Sequence, residues 1–360
     1  MFPTREEATS FLPGKTLVSQ VVTAPGAEDT INFLYGGHLV AEGIKYSLSF
    51  IGRPLESFRR ILDFGCGSAR VIRWFEEYAK NASLFGSDVN PDAIEWCNQT
   101  MGFGTFVGNQ PMPPLPDELG TNFDLIYGIS IVTHVDEEMQ LAWLEEFEKK
   151  LAPNGILLLT VHGEGIAVDR LFGNDLEVYH RDGHLYKRVL QDTGLDGLPS
   201  FYQVAYHKRR YVLQEWSRLF KILAYIRHGP MYLQDTVILQ KNGKESSGYS
   251  FLDLPIGCFD LPRSADEVDR DELFVRGWCF HSDCGRVQIE IWIDNEAVGS
   301  ARADLPTPAV GEAFPTYPSA RQCGFNTSIN ISALSPGPHR LYAMARTNLI
   351  PTIATYFFRT

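Results

Sequence analysis

The chain has 360 residues, 44% apolar and 21% charged. That is the composition of a globular protein with room for two or three domains, not of a disordered chain. Its 44 acidic against 32 basic side chains give a net charge of −12. This argues against nucleic acid as the main partner, since phosphate binding needs clustered Lys and Arg, and against an anionic membrane surface.

In chain order, residues 1–58 read as an N-terminal helical segment. Within it Leu39, Ile44, Leu48 and Ile51 recur at helical steps, and Pro54 closes the run. A short strand over residues 60–64 leads into Gly65-Cys66-Gly67-Ser68-Ala69-Arg70, and residues 71–80 predict a helix. Residues 84–88 predict a second strand, 91–99 a helix with Pro91 in its first turn, and 105–107 a short third strand. Four prolines between 111 and 116 impose an extended loop. A strand over 123–131, an amphipathic helix over 137–151 and a buried parallel strand over 156–161 follow. Strand and helix thus alternate across 60–161, which predicts βαβ units and an α/β layer architecture.

Residues 163–230 lose that rhythm, are rich in His, Tyr and Arg, and read as an insertion with a helix over 213–226. Residues 236–239 are one more apolar strand, and 242–250 read as a linker. The last lysine is Lys244; residues 246–360 carry 13 acidic groups and 9 basic ones, every one an arginine. That composition break coincides with a switch to short alternating runs at 273–280, 287–294, 299–303, 325–331, 340–346 and 353–358. These predict a C-terminal β-sandwich over 251–360.

Six scattered cysteines form no CxxC pair and no histidine joins them at metal spacing, so no metal site is expected. Free thiols and an N-terminus without an apolar leader point to a cytoplasmic protein, and no run is long enough to span a membrane.

The sharpest signal is the strand, glycine turn and helix at 61–70. It aims backbone N–H groups at a ligand, and Gly65 and Gly67 let the backbone approach closely. The lysine of a triphosphate-binding loop is absent. Asp63, beside the turn, would repel a pyrophosphate and suits a ligand carrying a positive charge or an amino group. Asp88, at the end of the second strand, is placed to accept both hydroxyls of a ribose, and Asn109 follows the third strand beside the place for an adenine. Each also has a plainer role, as a cap or turn residue, and Cys66 reads as small packing rather than a nucleophile.

The pieces LDFGCGSAR (62–70), FGSDVNPDAI (85–94), FDLIYGISIVTHV (123–135) and LAPNGILLLTV (151–161) resemble the class I S-adenosylmethionine-dependent methyltransferases. The resemblance covers about 30–241 and places the catalytic domain at 59–241. It implies a Rossmann-like doubly wound sheet whose last strand, at 234–241, inserts antiparallel. It further implies that Asp63, Gly65, Cys66 and Gly67 cradle the methionine part of S-adenosylmethionine, that Asp88 with Val89 holds the ribose, that Asn109 and Gln110 face the adenine, and that Ile129 and Ser130 close the pocket. One departure is Ala69, where the family usually has a third glycine.

A hydroxyl acceptor benefits from a base, and His is suited to that near neutral pH. His134 and His162 follow the fourth and fifth strands, whose ends share one rim of the sheet, and are the candidate catalytic residues. The C-terminal stretches around Arg276-Gly277-Trp278, Ile291-Trp292-Ile293 and Cys323-Gly324-Phe325 resemble β-sandwich modules attached to bacterial glycan-modifying enzymes. Trp278, Trp292 and Tyr317 are candidates to stack on sugar, although strand alternation assigns both tryptophans to the core. The expectation is O-methylation of a sugar hydroxyl of a glycan or surface polysaccharide. A small metabolite or an amine is the alternative acceptor, and a non-catalytic glycan- or partner-binding protein is the alternative of another class. A homo-oligomer is compatible with this reading.

Overall fold

The computed structural model describes residues 30–188, 201–229, 234–241, 248–263, 266–268, 271–282, 286–294, 296–346 and 351–359. Residues 1–29 of the N-terminal segment, 189–200 of the insertion and 242–247 of the expected linker lie outside the described residues. The chain divides into two compact units, one ending at Leu252 and the other beginning at Asp253.

The first unit opens with helix α1 (Thr30–Phe50). An eight-stranded sheet follows, in the order β10 (Ser250–Asp253), β8 (Lys221–Arg227), β9 (Asp235–Gln240), β5 (Leu151–Val161), β4 (Phe123–Gly128), β1 (Arg60–Phe64), β2 (Ser83–Asp88), β3 (Gly104–Gly108). β1 (Arg60–Phe64), β2 (Ser83–Asp88), β3 (Gly104–Gly108), β4 (Phe123–Gly128) and β5 (Leu151–Val161) run parallel. The chain builds outward from β1 to β3 and then restarts on β1's other side with β4. That reversal opens a crevice at the carboxyl ends of β1 and β4, where ligands bind in such sheets. The residues between β1 and β2 expected as a helix form a 3₁₀ helix, Ile72–Lys80.

Helix starts are fixed by side chains. Asn90 caps α2 (Pro91–Thr100) by accepting from the Asp92 and Ala93 N–H groups, and Asp136 caps α3 (Glu137–Lys150) by accepting from the Met139 N–H. The buried face of α3 places Trp143 and Phe147 against Phe64, with ring centroids 4.5 and 4.8 Å away. Each buried ring contributes roughly 2–3 kcal/mol. The same helix holds the proline loop: Trp143 Nε1 donates to the Pro111 carbonyl and the Glu146 carboxylate accepts from the Leu115 N–H.

The insertion contains α4 (Glu164–Arg170), α5 (Gly173–Asp182) and a two-stranded ribbon of β6 (His184–Lys187) with β7 (Val204–His207). The helix expected over 213–226 is corrected. α6 (Arg209–Glu215) ends in a single 3₁₀ turn, and the chain then enters β8 (Lys221–Arg227). β8 pairs antiparallel with β9 (Asp235–Gln240), which is itself antiparallel to β5. The sheet is completed at its edge by β10 (Ser250–Asp253).

The second unit packs β11 (Ile256–Leu261), β13 (Glu272–Phe280) and β16 (Gly324–Asn330) against a five-stranded sheet. The latter has the order β12 (Asp266–Glu267), β18 (Pro351–Arg359), β17 (Pro338–Arg346), β14 (Val287–Ile293), β15 (Glu296–Ala303). Leu273, Val275, Ile289, Ile291, Phe325, Ile329 and Leu341 share its core. In β14 the inward positions are Val287, Ile289, Ile291 and Ile293, which leaves Trp292 half-buried on the other face. The core assignment for Trp292 is therefore corrected: it tiles against Tyr342, with centroids 5.9 Å apart and planes 17° apart. Trp278 is also only half-buried, stacked against Phe280, whereas Tyr317 is buried.

Candidate functional site

The crevice at the ends of β1 and β4 gathers the predicted residues. Gly65 leaves β1 with φ +74°, a conformation that favours glycine, and a Cβ there would meet Ile131 Cδ1 at 2.0 Å, so any side chain would have to displace Ile131. The loop then folds onto the end of β2. The Gly65 and Cys66 N–H groups donate to the Ser87 carbonyl, and the Gly67 N–H donates to Asp88 Oδ2 at 2.7 Å. Asp88 Oδ1 accepts from the Asn90 N–H at 2.8 Å. One carboxylate thus ties the glycine loop to the start of α2. Burial pushes its pKa up, while those two N–H groups pull it down. Val89 beside it is half-buried.

Ala69 takes the left-handed conformation, φ 57°, that the missing glycine would adopt. For alanine this costs ~1–2 kcal/mol. Replacing it by glycine relieves that strain, but loses a buried methyl group worth ~0.8 kcal/mol and adds unfolded-state freedom worth about 0.4–1 kcal/mol. Ala69→Gly should therefore leave stability within about 0.5 kcal/mol of wild type in a denaturant titration. A loss above about 1 kcal/mol, ordinary for a buried Ala→Gly change, would show that the position is unstrained.

Asp63 is 3% exposed and its Oδ2 has no hydrogen-bond partner. Burial pushes its carboxyl up to about 7, and Asp88 adds to that rise, while Tyr127 and Arg70 pull it down. Cys66 is buried, and its thiol lies 3.5 Å from the Gly67 carbonyl, as does that of Cys97. The neighbouring Cys97 thiol and burial drive the Cys66 pKa well up, which removes it as a nucleophile.

Asn109 is buried: its Oδ1 lies 2.8 Å from Ser87 Oγ and its Nδ2 donates to the Gln110 carbonyl, so its side chain already binds the ends of β2 and β3 together. Gln110 is exposed. Ile129 is buried after β4. Ser130, with φ 59°, donates its N–H to Thr160 Oγ1 and accepts from Gln234 Nε2 at 2.6 Å.

The two histidines come together. Their ring centroids are 5.9 Å apart with planes at 85°. His134 Nδ1 lies 2.6 Å from the Gln203 carbonyl and His162 Nδ1 lies 3.1 Å from the Ala205 carbonyl. A carbonyl only accepts, so each Nδ1 carries the proton and each Nε2 keeps its lone pair. Burial pulls both down to about 4, and each ring is neutral at pH 7.

Three further residues of the crevice went unread in the sequence. Arg70 is buried, which pulls its pKa down, and lies close enough to the Asp63 carboxylate for that charge to offset part of the fall. Gly37 of α1 presses on it: a Cβ there would meet the Arg70 carbonyl oxygen at 2.1 Å. The Gly36-Gly37 pair inside a helical run was the available signal. Tyr202 stacks on His134 at 4.0 Å and 14°. Nothing in the local sequence marked it. Among the described residues no group of three or more His, Cys, Asp or Glu side chains is arranged to hold a metal ion. No described helix is long and apolar enough to cross a membrane.

Residues 37–199 match the family model described as a methyltransferase domain. Among the curated proteins none matches the chain. Solved structures that resemble it include a S-adenosylmethionine-dependent methyltransferase from Mesorhizobium loti. It has 17% identity and a TM-score of 0.42, with 56% of this chain and 100% of that one covered. Magnesium protoporphyrin IX methyltransferase from Synechocystis, solved with bound SAH, shows 18% identity and a TM-score of 0.37 over 60% and 87% of the two chains. An O-methyltransferase family protein from Burkholderia thailandensis shows 10% identity and a TM-score of 0.37 over 58% and 59%.

Proposed function

We propose that this protein, whose residues 37–199 match a methyltransferase domain, is an S-adenosylmethionine-dependent methyltransferase that methylates a hydroxyl of a neutral, polyhydroxylated acceptor, a glycan in the fullest form of the reading. The residues fit the cofactor. The unpartnered, buried Asp63 Oδ2 suits the amino group of the methionine part, and Gly65, with no Cβ, leaves backbone at the loop's closest approach. Asp88 and Val89 would hold the ribose, with Asn109 and Gln110 beside the adenine and Ile129 and Ser130 at the pocket wall. The bound cofactor supplies an electrophilic methyl group on a cationic sulfur.

The observation that carries the hydroxyl reading is the neutral imidazole pair. His134 and His162 each present an Nε2 lone pair fixed in place by a backbone carbonyl on the far side of the ring. A base so placed takes the hydroxyl proton as the oxygen attacks. What supports a glycan is the tiled Trp292 and Tyr342 pair on the sandwich, with the Arg340 guanidinium 5.2 Å above the Tyr342 ring. Flat aromatic faces flanked by polar groups suit the C–H faces and hydroxyls of sugar rings. The reading is tested by transfer of labelled methyl groups to a panel of oligosaccharides, nucleotide sugars and amines. Labelling of amines alone would overturn it. Equal labelling by wild type and Trp292→Ala would remove the sandwich from acceptor recognition.

Asp63 gives a check on the cofactor placement. With its pKa at about 7 it is half-protonated at neutral pH, and a cation bound beside it favours the carboxylate. Binding of S-adenosylmethionine at pH 7 should release roughly half a proton more from wild type than from Asp63→Asn. Calorimetry in two buffers of different ionisation heat measures this; equal proton release in the two proteins would place the amino group elsewhere.

A further inference from the structure

The β6–β7 ribbon does more than cover the rim. The segment leading into β7 is stitched to the loops after β4 and β5 by alternate backbone bonds. The Gln203 N–H donates to the His134 carbonyl, the Ala205 N–H to the Thr133 carbonyl, and the His207 N–H to the His162 carbonyl. In return the Gln203 and Ala205 carbonyls accept from the two imidazoles. One strand edge therefore sets the tautomer and direction of both rings. Tyr202 stands at the head of that edge. One face of its ring lies on His134 at 4.0 Å, nearly parallel, and its phenol is near enough to Asp88 and Arg70 to feel their charges. Tyr202 therefore lies against the acceptor-side base and within electrostatic range of Asp88 and Arg70 on the cofactor side.

We propose that Tyr202 is a positioning residue whose ring is the common wall of the two halves of the site, closing over the bound cofactor on one side and holding His134 in line on the other. The inference rests on the cofactor placement above. It goes further by tying the base to cofactor occupancy through a residue of the insertion. Filling the cofactor site presses on the phenol, and the stacked imidazole moves with it. The His134 ring is held by its Gln203 bond, by the stack and by the edge-on ring of His162.

The test uses the full chain with S-adenosylhomocysteine as the probe, read by calorimetry and by nitrogen–proton NMR of the histidine rings. In wild type, His134 should appear as the Nδ1–H tautomer and its ring signals should move when the probe binds. Tyr202→Phe should keep both the response and an affinity within about threefold, since the ring face is retained. Tyr202→Leu keeps bulk and fold but loses the flat face. It should weaken the probe at least tenfold and leave the His134 signals unmoved at saturation. Tyr202→Leu with wild-type affinity, or His134 responding equally in that variant, would overturn the proposal. Failure of the wild type itself to bind S-adenosylhomocysteine would overturn the cofactor placement and this inference with it.

Discussion

Asp88→Ala should weaken S-adenosylhomocysteine at least 100-fold, because the carboxylate has two duties. Toward the ligand it offers charge-assisted hydrogen bonds to ribose hydroxyls, worth roughly 1.5–3 kcal/mol each. Toward the protein it accepts from the Gly67 and Asn90 N–H groups at 2.7 and 2.8 Å. Alanine leaves those donors without their partner, at about 1–3 kcal/mol for a buried group. The glycine loop then loses one of its ties to β2, the Gly65 and Cys66 bonds to the Ser87 carbonyl remaining, so the variant should also unfold at a lower denaturant concentration. Asp88→Asn separates the duties. Its amide oxygen can keep one backbone bond but offers only one acceptor, so affinity should fall less, on the order of tenfold. Calorimetry with the probe and a denaturant titration of each variant give the two readouts. Wild-type affinity in Asp88→Ala would remove the ribose from this carboxylate. Lost affinity with unchanged stability would show that the loop does not depend on it.

The parts of this site that the sequence exposed are those whose chemistry is local. The strand into Gly65, the acid ending β2, and the apolar β4 and β5 each announce themselves within ten residues. Apolar alternation, glycine and a terminal acid have one economical structural meaning there. The sandwich strands were legible for the same reason, as Val287, Ile289, Ile291 and Ile293 alternate strictly. The stretch 213–226 was not, because two periodicities are spliced in it. Leu213, Trp216 and Phe220 keep a helical step, while Ile222, Ala224 and Ile226 keep a strand step, and pairing with β9 decides where one gives way. Trp292 was misread because the alternation was assigned with the wrong parity: it stands one step off the inward Ile291 and Ile293 positions. Tyr202 and Arg70 were invisible for a different reason. Their roles come from contacts across long sequence separations, 68 residues in the stack on His134, and no local pattern carries such information.

His134→Ala should lower the turnover number by roughly 10²–10³-fold, the usual worth of a positioned general base, with S-adenosylhomocysteine affinity nearly unchanged. His162→Ala should cost less, since its Nδ1 contact is longer, 3.1 Å against 2.6 Å, and its ring is less fixed. The pH behaviour distinguishes this from general damage. Burial pulls both imidazoles to about 4 from an ordinary 6.5. The acidic limb of the rate profile should therefore lie near pH 4–5, not near 6.5, and the wild-type rate should be flat with respect to these groups across neutrality. The same displacement sets an acid limit on stability. The unfolded chain takes up these two protons near pH 6.5 and the folded chain only near pH 4. In that window the unfolded state binds more protons, and stability falls as pH drops through it. The loss approaches roughly 3 kcal/mol per ring at the acid end. Removing either imidazole should flatten that fall in a denaturant titration repeated from pH 7 to pH 4.5. Only removal of the reacting base should also lower the rate by the full factor expected of His134→Ala. A wild-type profile with its acidic limb at 6.5, or a His134→Ala enzyme with near-normal turnover, would take the base role away from this pair.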